Sequence, residues 1–314
     1  MNILPRVNYA SLMLPLPPPI QHWDAINVAM SIFLWKNKRA RVKLETLQRR
    51  SLSGGWGIPN FERYHHASIL RALHVWLVED ARVAWRPIEL AKVSPHRLQD
   101  VVFSNIPKKV IYTKFGSIIS HLLAVWKSVE TLTKLSLVFH RHMPLFNNYS
   151  LLSGKQPFSV FHKWKDKGIN TLSDVCSDNF LCSFENLRQR HNLPVNSLHC
   201  YFQIRSALNK FGVPWGEVLP THPIQKICTN YSKGLISKLY LYIIRAAEKP
   251  LLLVSRWSRD LGIPSDEIDW NLIWANISLA SRNPNHQMIH FNFVHRTYTT
   301  PEKRFWMKNY SPPN

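Results

Sequence analysis

Apolar side chains recur along this chain at intervals of three and four residues, the spacing of one buried face on an α-helix. After Pro15, Pro17, Pro18 and Pro19, which forbid helix, Trp23, Ile26, Met30, Phe33 and Leu34 predict a helix over 20–35 with one buried stripe. Asn60 suits an N-cap, with Glu62 in the first turn. The helix it opens runs to about Val78, with Phe61, Tyr64, Ile69, Ala72, Leu73 and Trp76 on its apolar side. Ile118, Leu122, Val125, Trp126, Val129 and Leu132 predict helix over 115–140. A loop-rich stretch over 141–160 follows and marks a domain boundary. Beyond it the pattern predicts helices over 158–167, 178–191, 197–211, 229–247 and 250–261, with a loop from Pro214 to Pro223. Gly168, Pro194, Gly262 and Pro264 act as stops. Asp269 caps a helix bearing Trp270, Ile273, Trp274 and Ile277, and Gln287–Arg296 fits strand or helix. No internal repeat is present. The expectation is a mainly α chain with little or no sheet: a helical bundle over 1–145, then an irregular helical region over 146–314.

Hydrophobic residues make up 45% and charged residues 19% of the 314, which is the balance of a chain with a core. Lys and Arg number 40 against 19 Asp and Glu. The excess is spread over both halves, +12 in 1–150 and +9 in 151–314. That distribution suits a polyanionic partner, or a generally basic surface. The four cysteines, Cys176, Cys182, Cys200 and Cys228, fit neither a zinc spacing nor a disulfide scaffold. A reducing, intracellular setting is expected, nuclear or cytoplasmic. No run reaches 18 apolar residues, so no membrane partner is expected. The amino end does not read as a signal peptide.

Catalytic chemistry is not visible. Two-metal catalysis needs clustered carboxylates. The adjacent acids here, Glu79-Asp80 and Asp266-Glu267, read as helix-end and surface charge. Nucleotide-binding and hydrolase signatures are missing. Of the 15 histidines, His65-His66, His140/His142 and His286/His290/His295 lack a metal-ligand spacing, and packed or polar-tip roles suit them better. Neither a catalytic residue nor a metal or cofactor is assigned.

The strongest local signal is basic. Lys36, Lys38, Arg39, Arg41, Lys43, Arg49 and Arg50 crowd fifteen residues, with Glu45 the one acid among them. Such a segment binds phosphates and releases counterions. A nuclear-localisation signal and a plain solvated face are the competing readings. Trp35 and Trp164, each beside a lysine (Lys36, Lys163), are candidate stacking platforms for bases. Gly54, Gly55, Gly57, Pro59 and Asn60 form a turn with a structural role.

The stretch from Phe33 to Leu70 resembles a hallmark of LINE-type (non-LTR) retrotransposon reverse transcriptases. There a Trp-Lys pair opens a basic run, and a Gly-Gly-x-Gly-x-Pro-Asn-Phe turn leads to a Tyr and a helix. Trp35, Lys36, Gly54, Gly55, Gly57, Pro59, Asn60, Phe61, Tyr64 and Ala67 match it. Asn2–Arg6 is similar to the family's start of the thumb. Further blocks follow in the family's order at Phe161–Val175, Phe184–Leu208, Arg256–Ile263 with Trp270 and Trp274, and His295–Met307. The resemblance implies a thumb (1–145) and a connecting helical, wrist-like region (146–314). The family's polymerase core and endonuclease are not in this sequence, nor is its Cys/His cluster. The implied role is non-catalytic, sequence-tolerant contact with RNA and DNA that guides template and primer. A polymerase core supplied by another chain is a further implied partner. The alternatives are a helical interaction scaffold that needs that core, and a remnant of a decayed mobile element without a role.

Overall fold

The computed structural model describes residues 5, 6, 9, 10, 13, 15–78, 83–94, 96–135, 140–146, 148, 149, 162–177, 180–210, 220–230, 233–298, 300 and 301. The expected mainly α class holds, and a single two-stranded antiparallel hairpin is the sheet among these residues. In chain order the helices begin with α1 (His22–Trp35), α2 (Leu44–Leu47), α3 (Phe61–Leu70) and α4 (Leu73–Leu77). Next come α5 (Arg86–Val93), α6 (Leu98–Phe103), α7 (Lys108–Lys114), α8 (Gly116–Thr133) and α9 (His162–Lys165). The hairpin pairs β1 (Cys176–Ser177) with β2 (Phe180–Leu181). The rest are α10 (Phe184–His191), α11 (Leu198–Lys210), α12 (Pro223–Thr229), α13 (Leu235–Ala247), α14 (Leu252–Leu261), α15 (Trp270–Leu279) and α16 (Pro284–Val294).

The division of the chain differs from the expected break at 145/146. Unit one takes 1–17 and 63–246, and unit two takes 18–62 and 247–314. The last segment packs with the early one through contacts about 240 residues apart, such as His295 on Gly54. Local periodicity carries no trace of such pairings. Within the loop-rich stretch, Met143, Leu145 and Phe146 belong to the second of two hydrophobic cores inside unit one, and Tyr149 packs against the first.

The first core of unit one is built on α8. Ile119, Leu122, Trp126 and Val129 follow the helical repeat and are buried. Leu73 and Trp76 of α4, Val101 and Phe103 of α6, and Ile224, Leu239 and Ile243 of α12 and α13 pack into the same core. Trp76 Nε1–H donates to Glu89 at 2.6 Å, which satisfies a fully enclosed indole. Tyr64 and Tyr240 stack at 3.7 Å. α8 ends at Lys134, whose left-handed backbone (φ 57°) lets Leu135 N–H reach the Glu130 carbonyl at 2.9 Å.

The second core gathers Trp164, Ile169, Leu172, Val175, Leu187 and Leu208. Gly168 sits at φ 81°, and the turn is closed by Ile169 N–H donating to the Trp164 carbonyl at 3.1 Å. Thr171 and Asp174 form a capping box on the 3₁₀ turn Leu172–Val175. The hairpin then occupies the start of the helix expected over 178–191, and α10 begins only at Phe184, where Ser183 accepts from Asn186 N–H at 3.2 Å.

Unit two has a small core of Val42, Leu47 and Phe291, with Trp35, Trp56 and Ile58 against it. Trp56 meets Phe291 edge-on at 5.3 Å. α1 departs from expectation. Trp23, Ile26, Met30 and Leu34 are partly sheltered, but Phe33, at the edge of the same stripe, is 83% exposed. No α1 side chain is fully buried. Asp269 caps α15 as expected, its carboxylate accepting from Leu272 N–H at 3.0 Å. The ambiguous segment Gln287–Arg296 is mostly helix, within α16.

Candidate nucleic-acid interface

The basic segment is presented by a tight reversal and two apolar anchors, all in unit two. α1 ends where Lys36 and Asn37 take left-handed backbone in succession (φ 49° and 61°), and Lys38 N–H donates to the Trp35 carbonyl at 2.9 Å. The chain then runs outside helix to Lys43. Val42 points into the small core, so its neighbours Arg41 and Lys43 point to solvent. Leu47 is the second anchor. Lys36, Lys38, Arg39, Arg41 and Lys43 are all exposed. Among the described residues none of these five takes part in an ion pair.

Arg49 and Arg50 depart from the expected role. Both are half-buried and hold unit two together. Arg49 donates through Nη1 to the Lys249 carbonyl at 2.6 Å and through Nε to the Ser53 carbonyl at 2.9 Å. Arg50 pairs with Glu248 at 3.4 Å and donates to Ser53 Oγ at 2.9 Å. Their donors are therefore directed at the protein rather than at phosphate. The cause is the return of residues 248 and 249 to this place, which no feature of residues 36–50 announces.

The two stacking candidates also change. Trp164 is 1% exposed in the second core of unit one and offers no face to a base. Trp35 is half-buried against Val42, Leu47 and Phe291, and only part of its indole remains accessible. The Lys163 side chain lies outside the described residues, and so do residues 2–4 of the block at the amino end.

The glycine turn supports the basic segment. Four backbone donors of the turn reach back to it: Trp56 and Ile58 N–H to the Leu47 carbonyl (3.0 and 3.1 Å), Gly57 to Arg49 (2.8 Å) and Gly55 to Arg50 (3.0 Å). At Gly54 (φ 82°) a β-carbon would lie 2.7 Å from Leu251 Cδ1 and 3.0 Å from Trp274 Cζ2. Gly57 also has positive φ. Pro59 leads to Asn60, which directly precedes α3 and donates to Gln48 Oε1 at 2.9 Å. His295 Nε2–H donates to the Gly54 carbonyl at 2.9 Å. Burial pulls the His295 pKa down, against the opposing pull of that carbonyl.

Sequence reasoning did not single out Arg296, which pairs with Asp260 and lies 4.1 Å above the Trp257 ring. The histidines at 286, 290 and 295 do not converge: His286 and His290 are exposed and His295 is turned to the glycine turn. Among the described residues no group of three His, Cys, Asp or Glu side chains is placed to hold a metal ion. Asp266 and Glu267 are exposed, and Glu79-Asp80 lies outside the described residues. No helix among the described residues is long and apolar enough to cross a membrane. No family model matches the chain.

Proposed function

We propose that this chain is a non-catalytic, sequence-tolerant RNA- and DNA-binding piece, built in the manner of the thumb and following helical region of a LINE-type reverse transcriptase. The observation that carries this reading is the row of five exposed cations from Lys36 to Lys43, which no acid of the described residues neutralises and which Val42 and Leu47 hold in place. Cations aimed at a sugar–phosphate backbone bind without reading bases, as a template guide requires. The net charge of +21 strengthens long-range attraction to the same partner.

Salt titration tests it. With about five phosphate contacts, log K for duplex DNA should fall against log salt with a slope of roughly −4 to −5. Replacing Lys38, Arg39 and Arg41 together by Ala should reduce that slope by about 2.7 and weaken all sequences alike. Undetectable binding to duplex and single strand at about 50 mM salt would end the proposal, as would a loss that depends strongly on sequence.

A second reading, a scaffold that docks a polypeptide such as a polymerase core, is favoured by the apolar side chains that unit two leaves in solvent. Ile20 is 98%, Phe33 83%, Leu279 76% and Leu252 75% exposed. A monodisperse monomer at high concentration counts against it.

A further inference from the structure

His140 and His222 share no local motif, yet they meet inside unit one with ring centroids 5.3 Å apart. The Arg141 N–H donates to the Pro220 carbonyl at 3.2 Å, and this joins the two loops that carry them. Phe103 stands edge-on to His140 at 4.5 Å, and Trp126 lies 5.1 Å from His222. The four rings form one wall of a cavity of about 210 Å³, whose polar lining includes Lys127 and Glu130. A cavity of about 150 Å³ already admits benzene.

Both histidines are nearly enclosed, His140 at 3% and His222 at 2% exposure. Nevertheless His140 Nδ1 and both ring nitrogens of His222 have no hydrogen-bond partner among the described residues. Buried polar atoms are normally satisfied. Three such nitrogens beside a cavity mark where the donors and acceptors of a bound molecule belong. Burial lowers the pKa of His140 to about 3 and of His222 to about 4, so both rings are neutral at pH 7. Each neutral imidazole offers one donor and one acceptor. Burial pushes the Glu130 carboxyl up to about 7, against the pull of Lys127. The Lys127 ammonium is already engaged by the Ile106 carbonyl. The neutral imidazole donors and acceptors, set among tilted and edge-on aromatic rings, suit an uncharged aromatic ligand.

We propose that this cavity binds a small, neutral, planar nitrogen heterocycle about the size of benzimidazole or a purine base, hydrogen-bonded to His222 and His140. The inference is independent of the nucleic-acid reading, because it uses none of the exposed cations.

Calorimetric titration of the full chain with benzimidazole, with toluene and inorganic phosphate as comparison probes, tests it at pH 7.5. The expected result is saturable binding of one benzimidazole per chain, weakened by about tenfold or more in His222→Phe, which keeps the ring and removes its nitrogens. Toluene binding as tightly as benzimidazole would overturn the proposal, and so would phosphate binding that His222→Phe abolishes. Should His222→Phe fail to fold, ¹⁵N-histidine spectra of the unaltered chain decide. Benzimidazole must then move two of the 15 imidazole signals, and unmoved signals refute the site.

Discussion

Gly55 has no room for a side chain: a β-carbon there would lie 2.1 Å from the Arg49 carbonyl oxygen and 2.5 Å from its carbonyl carbon. The obstruction is backbone, so it cannot rotate away. Gly55→Ala should therefore cost unit two roughly 3 kcal/mol or more, seen as faster amide exchange at Trp56, Gly57 and Ile58, whose N–H groups donate to the Leu47 and Arg49 carbonyls. Gly57→Ala meets no neighbour within 4 Å but keeps a positive φ, and should cost only about 1 kcal/mol. At this scale the sequence was partly legible. The glycine turn could be assigned to structure because three glycines and a Pro-Asn pair have few other uses. Lys36, Lys38, Arg39, Arg41 and Lys43 were legible as surface because no burial partner is encoded nearby. Arg49, Arg50 and Trp164 were not. Their partners are Lys249 and Glu248 for the arginines and the Ile169–Leu208 core for the tryptophan. A lysine beside a tryptophan says nothing about which way the indole turns.

Among the elements, the 3₁₀ turn Leu172–Val175 depends on one carboxylate. Asp174 Oδ2 accepts from Asn170 N–H (2.8 Å), Thr171 N–H (2.7 Å) and Thr171 Oγ1–H (3.0 Å). Asp174→Ala removes all three acceptances and should destabilise unit one by about 1–2 kcal/mol, measured by urea unfolding; Asp174→Asn should recover part of it. Long helices with a clean repeat, such as α8 and α13, could be read from the sequence. Short ones such as α5, α6 and α7 were missed, since six to eight residues hold too few turns to show a period. In α1 the stripe was misassigned at one position. Phe33, seven residues after Ile26, keeps the helical period, yet it is exposed while Leu34 is sheltered. The hairpin at 176–181 was invisible because strands of two residues have no alternation to detect.

For the whole molecule, enclosed histidines set the response to acid. Burial lowers His66 and His140 to about 3 and His222 to about 4. Their unfolded counterparts titrate near 6.5, so between there and about 3–4 the unfolded chain binds more protons. Stability therefore falls as pH drops from about 6.5 toward 4. Glu130, raised to about 7, acts in the opposite sense between about 4.5 and 7, because the folded state holds its proton. One carboxyl offsets only part of three imidazoles. The expected net effect is a loss on the order of a few kcal/mol in unit one from pH 7 to pH 4.5, checked by urea midpoints across that range. A flat profile would contradict the enclosure of His66, His140 and His222.

Unit two is written in two instalments. About 185 residues separate its first segment, which ends at Glu62, from its second, which opens at Ala247. A ribosome adding roughly 5–20 residues each second would take about 10–40 s to bridge that gap. Throughout that wait the loop from Lys36 to Lys43 lacks Phe291, against which Val42 packs, and Arg50 lacks Glu248. Any translation product stopping near residue 246 would carry every segment of unit one, yet leave its most cationic stretch as an unbraced leash.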